Sequence, residues 1–146
     1  MERTLIIFKP EAVQRKICYK LLKRWEQKGF NILTAVLRKG TKKELEQHYI
    51  EHKDKTFYNS LISRMTREPS FILVIEGYDV INWSRKIIGD TNPEIANVGT
   101  IRGDYGITKD YNLVHASDSL GSAYREINIW FPNITFTEIS TAKRLV

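Results

Sequence analysis

At 146 residues, with 42% hydrophobic and 27% charged residues, the chain has the size and composition of one soluble globular domain over residues 1–146. No segment is apolar for long enough to span a membrane, a predicted strand follows the N-terminus with no signal peptide, and the lone Cys18 excludes an intrachain disulfide, which fits a reducing cytoplasm. The 23 basic and 17 acidic residues give a formal net charge of +6, which suits a polyanionic ligand without distinguishing nucleotide, nucleic acid and phospholipid.

Hydrophobic periodicity predicts strands and helices that alternate along the chain. A continuous apolar run predicts a buried strand over residues 3–8, and Pro10 predicts the start of a helix that ends at Gly29. Thr41 and Glu44 have the spacing of a capping box, which predicts a helix from 41 to about 51. The other predicted elements are a strand over 32–37, a helix over 57–67, a strand over 70–76, a helix over 79–88, a short strand at 113–114, and a helix that ends near 131 and precedes an irregular tail.

Residues 89–111 are predicted to be irregular, because this segment contains four glycines together with Pro93. A loop of this length in a compact domain is usually functional or part of an interface. The alternation of strands and helices along the whole chain indicates an α+β or α/β fold.

His115 stands at the end of a short apolar run and directly before a signal for the start of a helix. Asp118 and Ser119 are good N-cap residues, and apolar residues repeat at helical spacing from Leu120 to Trp130. A neutral imidazole held at such a turn is a nucleophile at physiological pH and can carry a phosphoryl group covalently. A histidine with a purely structural role fits the same local pattern, so the pattern alone leaves both interpretations open.

Lys9 and the segment from Gly99 to Asp104 fit phosphate binding on local evidence. A lysine at the exit of a strand is placed to meet a phosphate, although an exposed strand-end lysine fits equally well. Glycines at 99 and 103 let the backbone approach a ligand closely, and Arg102 lies between them. The chain has neither a Walker A sequence nor a kinase Gly-rich loop, so phosphoryl transfer would need another arrangement, such as a histidine nucleophile with clustered cations.

Together these blocks resemble the nucleoside diphosphate kinases from end to end. The resemblance covers nearly all 146 residues and keeps the order and approximate spacing of that family. The matching blocks are Thr4–Arg15, His48-Tyr49, Phe57-Tyr58, Arg85 with Gly89–Pro93, Gly99–Asp104, Asn112–Ser119, Glu126 and Trp130-Phe131.

The resemblance implies an α+β fold, a ferredoxin-like βαββαβ antiparallel sheet with helices on one face. It also implies that the terminal phosphoryl group of a nucleoside triphosphate passes to a nucleoside diphosphate by a ping-pong mechanism through phospho-His115. Mg²⁺ would bridge the nucleotide phosphates and be held mainly by phosphates and water, with no protein ligand. A symmetric homo-oligomer is implied as well, with a hexamer expected and a tetramer as the alternative because the tail is short. Neither nucleic acid nor a membrane is required.

The same resemblance gives roles to individual residues. Glu126 is expected to orient the imidazole of His115, with Ser117 and Ser119 in supporting hydrogen bonds. Because a stack tolerates any base, broad base specificity is expected. In this scheme Lys9, Tyr49, Arg85, Thr91 and Arg102 lie at the phosphates, Asn112 bonds a sugar hydroxyl, and Phe57 stacks on the base.

Four residues, in three places, depart from those that are commoner in the family. Glu11-Ala12 replaces Asp-Gly, Ala116 replaces the Gly that follows the histidine, and Thr56 stands where some members have proline. Alanine adds a methyl group beside the nucleophile and restricts φ. No reactive group is lost, so activity is expected to survive.

Two alternatives to a kinase remain at this point. His48 and His52 belong to an H-x-x-E-H pattern of one class of zinc protease and would lie on one helical face. The sequence offers no strong third ligand, so zinc catalysis is not favoured. A basic domain that binds nucleic acid and has lost turnover is the other alternative, and the intact set of reactive residues argues against that loss.

Overall fold

Four antiparallel strands form the sheet found in residues 1–133, the part of the chain that this computed structural model describes. The strands are β1 (Glu2–Phe8), β2 (Asn31–Arg38), β3 (Ser70–Gly77) and β4 (Val114–Ala116), in the order β2-β3-β1-β4. This is the ferredoxin-like α+β arrangement that the resemblance implied. Most of the predicted irregular tail, from residue 134 on, lies outside the described residues.

Seven α-helices connect and cover the strands within the described residues. They are α1 (Pro10–Gln14), α2 (Cys18–Gln27), α3 (Lys42–His48), α4 (Tyr58–Arg67), α5 (Val80–Ile88), α6 (Ile101–Tyr105) and α7 (Leu120–Trp130), and short 3-10 helices span Ile50–His52 and Lys109–Tyr111. In residues 1–133, no helix has both the length and the apolar character needed to cross a membrane.

Helices cover both faces of the sheet, so the expectation that they lie on one face is wrong. Along β1, Ile6 and Phe8 pack in a core that includes residues of α1, α2 and α5. Leu5 and Ile7 point the other way, into a second core with residues of α3 and α4 and with Trp130 of α7. A strand buried on both faces has a continuous apolar sequence, which is why the run in β1 does not alternate.

The helix predicted from Pro10 to Gly29 is two helices, because the chain turns at Lys16. Lys16 has φ of 58°, and its N–H donates to the carbonyl of Val13 at 3.0 Å, while the N–H of Ile17 donates to that of Ala12 at 3.3 Å. This pair of bonds is a Schellman ending, which normally uses glycine at the left-handed position. A lysine there gives no sequence signal, so the sequence does not predict the break.

Two more predicted boundaries need correction. The segment 89–111 is not wholly irregular, since it contains α6 and the 3-10 turn Lys109–Tyr111. The short strand is Val114–Ala116 rather than 113–114, because Leu113 has φ of 75° and only the next residues pair with β1. The capping box is confirmed, since Thr41 accepts from the N–H of Glu44 and the Glu44 carboxylate accepts from that of Thr41, although α3 ends at His48.

Candidate active site

A cavity of about 280 Å³ opens where β4, the exit of β1, and helices α3, α5, α6 and α7 meet. Most side chains that the sequence pointed to are brought together around it. Its lining includes Lys9, Tyr49, Arg85, Thr91, Arg102, Asn112, His115 and Glu126.

His115 is held from two sides, by its strand and by a buried carboxylate. Its backbone pairs with Ile7 of the central strand β1, and its side chain keeps 20% of its surface exposed. The Nε2 atom lies 2.6 Å from Oε1 of Glu126, which projects from α7 and is 4% exposed. A carboxylate can only accept, so Nε2 carries the proton and Nδ1 keeps its lone pair.

Ser117 fixes the carboxylate that holds the histidine. Its hydroxyl donates to Oε1 of Glu126 at 2.9 Å and accepts the N–H of Leu5 at 3.2 Å. A series of hydrogen bonds therefore links the backbone of β1 through Ser117 and Glu126 to the imidazole of His115. Ser119 has a separate role as N-cap of α7, accepting the N–H of Ser122 at 3.1 Å.

Three cations line the cavity beside His115, namely Lys9, Arg85 and Arg102. None of them forms a salt bridge with any described residue. The Arg102 guanidinium donates to the carbonyls of Val114 at 2.7 Å and Gly89 at 3.1 Å, and Arg85 donates to that of Ala116 at 3.1 Å. Carbonyls orient these groups without neutralising them, so the cavity is ready for an anion.

Burial, reinforced by the positive charge of the cavity, lowers the pKa values of Lys9, Arg102 and His115. Burial lowers the pKa of Lys9 to about 8, with Arg102 contributing in the same direction and Glu11 opposing. Burial likewise lowers the pKa of Arg102 to about 10, with help from Arg85. Burial and the cations Lys9, Arg102 and Arg85 lower the pKa of His115 to about 3, so the imidazole is neutral at physiological pH.

Asn112 joins the lysine to the 89–111 segment. Its Oδ1 accepts from Nζ of Lys9 at 2.8 Å, and its amide donates to the carbonyl of Thr91 at 3.1 Å. Tyr49 adds an unused donor, because its buried hydroxyl has no partner among residues 1–133. Burial raises the pKa of Tyr49 well above its usual value, so that hydroxyl keeps its proton.

Phe57 does not line the cavity. It is 45% exposed at the start of α4, and its ring centroid lies 5.6 Å from that of His52, which does line the cavity. Nζ of Lys55 lies 5.7 Å from the Phe57 ring. An exposed aromatic at the rim is compatible with stacking on a flat ligand that extends from the cavity.

Ala116 and Glu11, two of the unusual positions, fit the site without strain. Ala116 is buried in β4 opposite Ile6 and has no positive φ, so its methyl group is accommodated. The Glu11 carboxylate accepts the N–H of Leu113 at 3.3 Å, which supports the turn into β4.

His48 is a neighbour of the nucleophile that the sequence does not predict, because the H-x-x-E-H pattern pairs it with His52 instead. Within residues 1–133, one set of side chains has its ligand atoms close enough together to hold a metal ion, namely His48, His115 and Glu126. His52 is not part of that set. The His48 and His115 rings lie 4.4 Å apart between centroids. Only the adjacency of His48 to Tyr49 could have pointed to this place.

Comparisons with known proteins agree with this geometry. Residues 2–136 match the family model described as nucleoside diphosphate kinase. A nucleoside diphosphate kinase of Staphylococcus aureus (strain MSSA476) is 46% identical over 143 residues, covering 98% of this chain and 96% of that protein. The apo crystal structure of the Encephalitozoon cuniculi enzyme superposes with a TM-score of 0.93 at 34% identity, covering 98% and 97% of the two chains. A halophilic enzyme from Halobacterium salinarum in complex with CDP gives a TM-score of 0.91 at 34% identity, with 99% of each chain covered. This chain belongs to the nucleoside diphosphate kinase family.

Proposed function

We propose that this protein is a nucleoside diphosphate kinase, which moves the terminal phosphoryl group of a nucleoside triphosphate to a nucleoside diphosphate through phospho-His115. One observation carries the proposal. A neutral histidine, with Nε2 hydrogen-bonded to the buried Glu126, keeps its Nδ1 lone pair beside cations that form no salt bridge within residues 1–133. Such a group is a nucleophile in a pocket for anions.

In the first half-reaction the Nδ1 lone pair of His115 attacks the terminal phosphorus. The N–P bond forms as the bond to the bridging oxygen breaks, and the diphosphate leaves with that electron pair. Positive charge develops on the imidazole, and the Nε2–H bond to Glu126 stabilises it. A second diphosphate then attacks the phosphohistidine by the reverse route, which makes the cycle ping-pong.

The phosphate groups have an adequate set of donors in the cavity. Lys9, Arg85 and Arg102 supply charge, and the unpaired Tyr49 hydroxyl and the Thr91 side chain supply hydrogen bonds. Asn112, already bonded to Lys9 at 2.8 Å, is assigned to a sugar hydroxyl. Phe57 at the rim is assigned to the base, and a stack supports acceptance of purines and pyrimidines alike.

Mg²⁺ belongs to this scheme as part of the nucleotide substrate. The side chains of His48, His115 and Glu126, which could together hold a metal ion, supply two imidazoles and a single carboxylate. This donor set suits zinc better than a hard cation such as Mg²⁺. We therefore assign Mg²⁺ to the phosphates and water, where it offsets phosphate charge, and name no protein ligand.

The assembly we propose is a homo-oligomer, with a hexamer favoured over a tetramer. The segment 89–111 exposes Ile95, Val98 and Ile107 at 67%, 91% and 73% of their surface, and a partner chain would cover them. We propose a single domain over the whole chain. We place the enzyme in the cytoplasm, because its lone Cys18 suits a reducing compartment. Neither nucleic acid nor a membrane takes part.

The test is transfer of label from a γ-labelled nucleoside triphosphate to the protein. Wild type should gain an acid-labile label that a nucleoside diphosphate removes, and His115→Ala should gain none while keeping its fold by circular dichroism. His52→Ala is the matched control, since His52 also lines the cavity and should leave labelling intact. Acid-labile label on folded His115→Ala would overturn the assignment.

A further inference from the structure

His48 packs against the nucleophile, and Trp130 holds it from the other side. His48 is 4% exposed, and its ring meets that of His115 at 76° with centroids 4.4 Å apart. Trp130 donates its indole N–H to Nδ1 of His48 at 3.0 Å. Nε2 of His48 is buried and has no hydrogen-bond partner in the described part of the chain.

The indole bond decides where the proton of His48 resides. Because Nδ1 accepts from Trp130, the proton of the neutral ring must be on Nε2. A second proton on Nδ1 would point at the indole N–H. Burial, reinforced by His115, also lowers the pKa of His48 well below its usual range. His48 is therefore an uncharged ring with one buried, unused N–H donor.

The same bond bears on metal binding. A ring nitrogen of His48, one of His115 and a carboxylate oxygen of Glu126 all lie within 4.8 Å of one another, and these ligand types suit Zn²⁺. Ligation needs a free lone pair on each imidazole. In His48 the Nδ1 lone pair is engaged by Trp130 and Nε2 carries the proton, so this residue has none to offer.

The ring contact also restrains the nucleophile in a direction that the carboxylate leaves free. The hydrogen bond to Glu126 holds Nε2 of His115 at one point, and rotation of the ring about that bond would turn Nδ1 away from a phosphate. The nearly perpendicular ring of His48 packs against the His115 ring with centroids 4.4 Å apart, so it is placed to limit this rotation. Small errors in the orientation of a nucleophile have large effects on rate.

We propose that Trp130 and His48 form a tautomer lock: Trp130 keeps His48 as a neutral Nε2–H imidazole, which positions the ring of His115 and denies the cluster to Zn²⁺. The positioning half rests on the proposed role of His115 as nucleophile. The metal half depends only on the geometry of the three side chains and the indole.

Titration of nucleotide-free protein with Zn²⁺ by isothermal calorimetry tests the metal half. Trp130→Phe should gain one site per chain that is at least tenfold tighter than any site of wild type, and His48→Phe in that background should remove it. Trp25→Phe is the matched control, since it loses an equally buried indole bond, to Ser84 at 2.9 Å, and should bind as wild type does. Equal zinc affinity of wild type and Trp130→Phe would overturn the lock.

Single-turnover phosphorylation tests the positioning half. His48→Ala removes the ring that packs on His115, and its phosphorylation rate should fall at least tenfold with nucleotide Kd within twofold of wild type. His48→Phe, which keeps a ring of similar size at this position, should recover most of the rate. A wild-type rate in folded His48→Ala would refute positioning. Label on His115→Ala would instead refute the proposed function, and the zinc result would stand.

Discussion

Removing the charge of Glu126 tests how the protein activates its histidine. Glu126→Gln keeps the size of the side chain, and its amide oxygen can still accept from Nε2 of His115 and from Ser117, which lie 2.6 Å and 2.9 Å from Oε1. Only the charge-assisted character of these bonds is lost. The amide nitrogen would occupy the position of Oε2, which faces Nη2 of Arg125 at 3.8 Å, so a favourable contact becomes a repulsive one.

The expected loss follows from the difference between charged and neutral hydrogen bonds. Bonds to charged groups contribute about 1.5–3 kcal/mol, against about 0.5–1.5 kcal/mol for neutral ones. The charge on the imidazole grows during attack, so a difference of about 1.5 kcal/mol acts on the transition state and lowers the rate of phosphorylation about tenfold. Stability should not fall in parallel, because burial raises the pKa of Glu126 and its charge opposes folding.

Quench-flow under single-turnover conditions, with the triphosphate concentration varied, separates this rate from nucleotide affinity. Glu76→Gln is a matched control, because Glu76 is a buried carboxylate of β3, salt-bridged to Arg3 at 2.9 Å, and lies outside the cavity lining. It should lose stability and keep its rate. A rate within twofold of wild type in folded Glu126→Gln would show that the carboxylate charge does not act on the transition state.

Three further outcomes are expected. Phe57→Ala should weaken nucleotide binding roughly tenfold for purine and pyrimidine diphosphates alike, because a stack contributes about 1–3 kcal/mol per base; dependence on one base in a fluorescence titration would contradict the assignment. Burial lowers the pKa of Lys9 from 10.5 to about 8, so between these pH values the unfolded chain binds more protons than the folded chain. The free energy of unfolding of wild type, measured by urea denaturation relative to Lys9→Met, should therefore rise with pH in this range by up to about 1.4 kcal/mol per pH unit. A difference that stays flat or falls with pH would refute the pKa shift. Pro93 is buried and fixes the backbone of the 89–111 segment, so Pro93→Ser should loosen assembly or lower stability more than it alters chemistry; light scattering over a dilution series checks the assembly, and a wild-type monomer at every concentration would refute the oligomer.

Local signals predicted most of the fold because they involve residues close in sequence. The capping box joins Thr41 to a residue three positions away, and the apolar run of β1 records burial on both faces of one strand. The turn at Lys16 cannot be predicted in this way, because a lysine with left-handed backbone angles is strained and is stabilised by tertiary packing rather than by its local sequence. Strand order came from the resemblance and not from periodicity.

The residues of the candidate site also fall into two groups, those that a local motif predicts and those that only the folded chain brings together. Residues with a motif, such as His115 and Arg102, were picked out by position in the chain, whereas His48 and Trp130 are 82 residues apart and meet only after the sheet has formed. No spacing rule links two such residues. Their contact depends on α3 and α7 packing on the same face of the sheet, which the local sequence of neither helix specifies.

The net charge of +6 left nucleotide, nucleic acid and phospholipid open, and the geometry of the cations narrows that choice. Lys9 and Arg102 are 9% and 4% exposed, so their charges are accessible only from within the cavity. A continuous phosphate backbone or a lipid surface is too broad to enter a space of about 280 Å³, whereas the phosphates of a single nucleotide can. Burial lowers the pKa of both side chains, and each is further lowered by a neighbouring arginine, so bound phosphates would relieve a repulsion present in the free protein. Burial keeps His115 neutral, and the charges proposed to bind the phosphates act in the same direction, so they serve both nucleotide recognition and the readiness of the nucleophile.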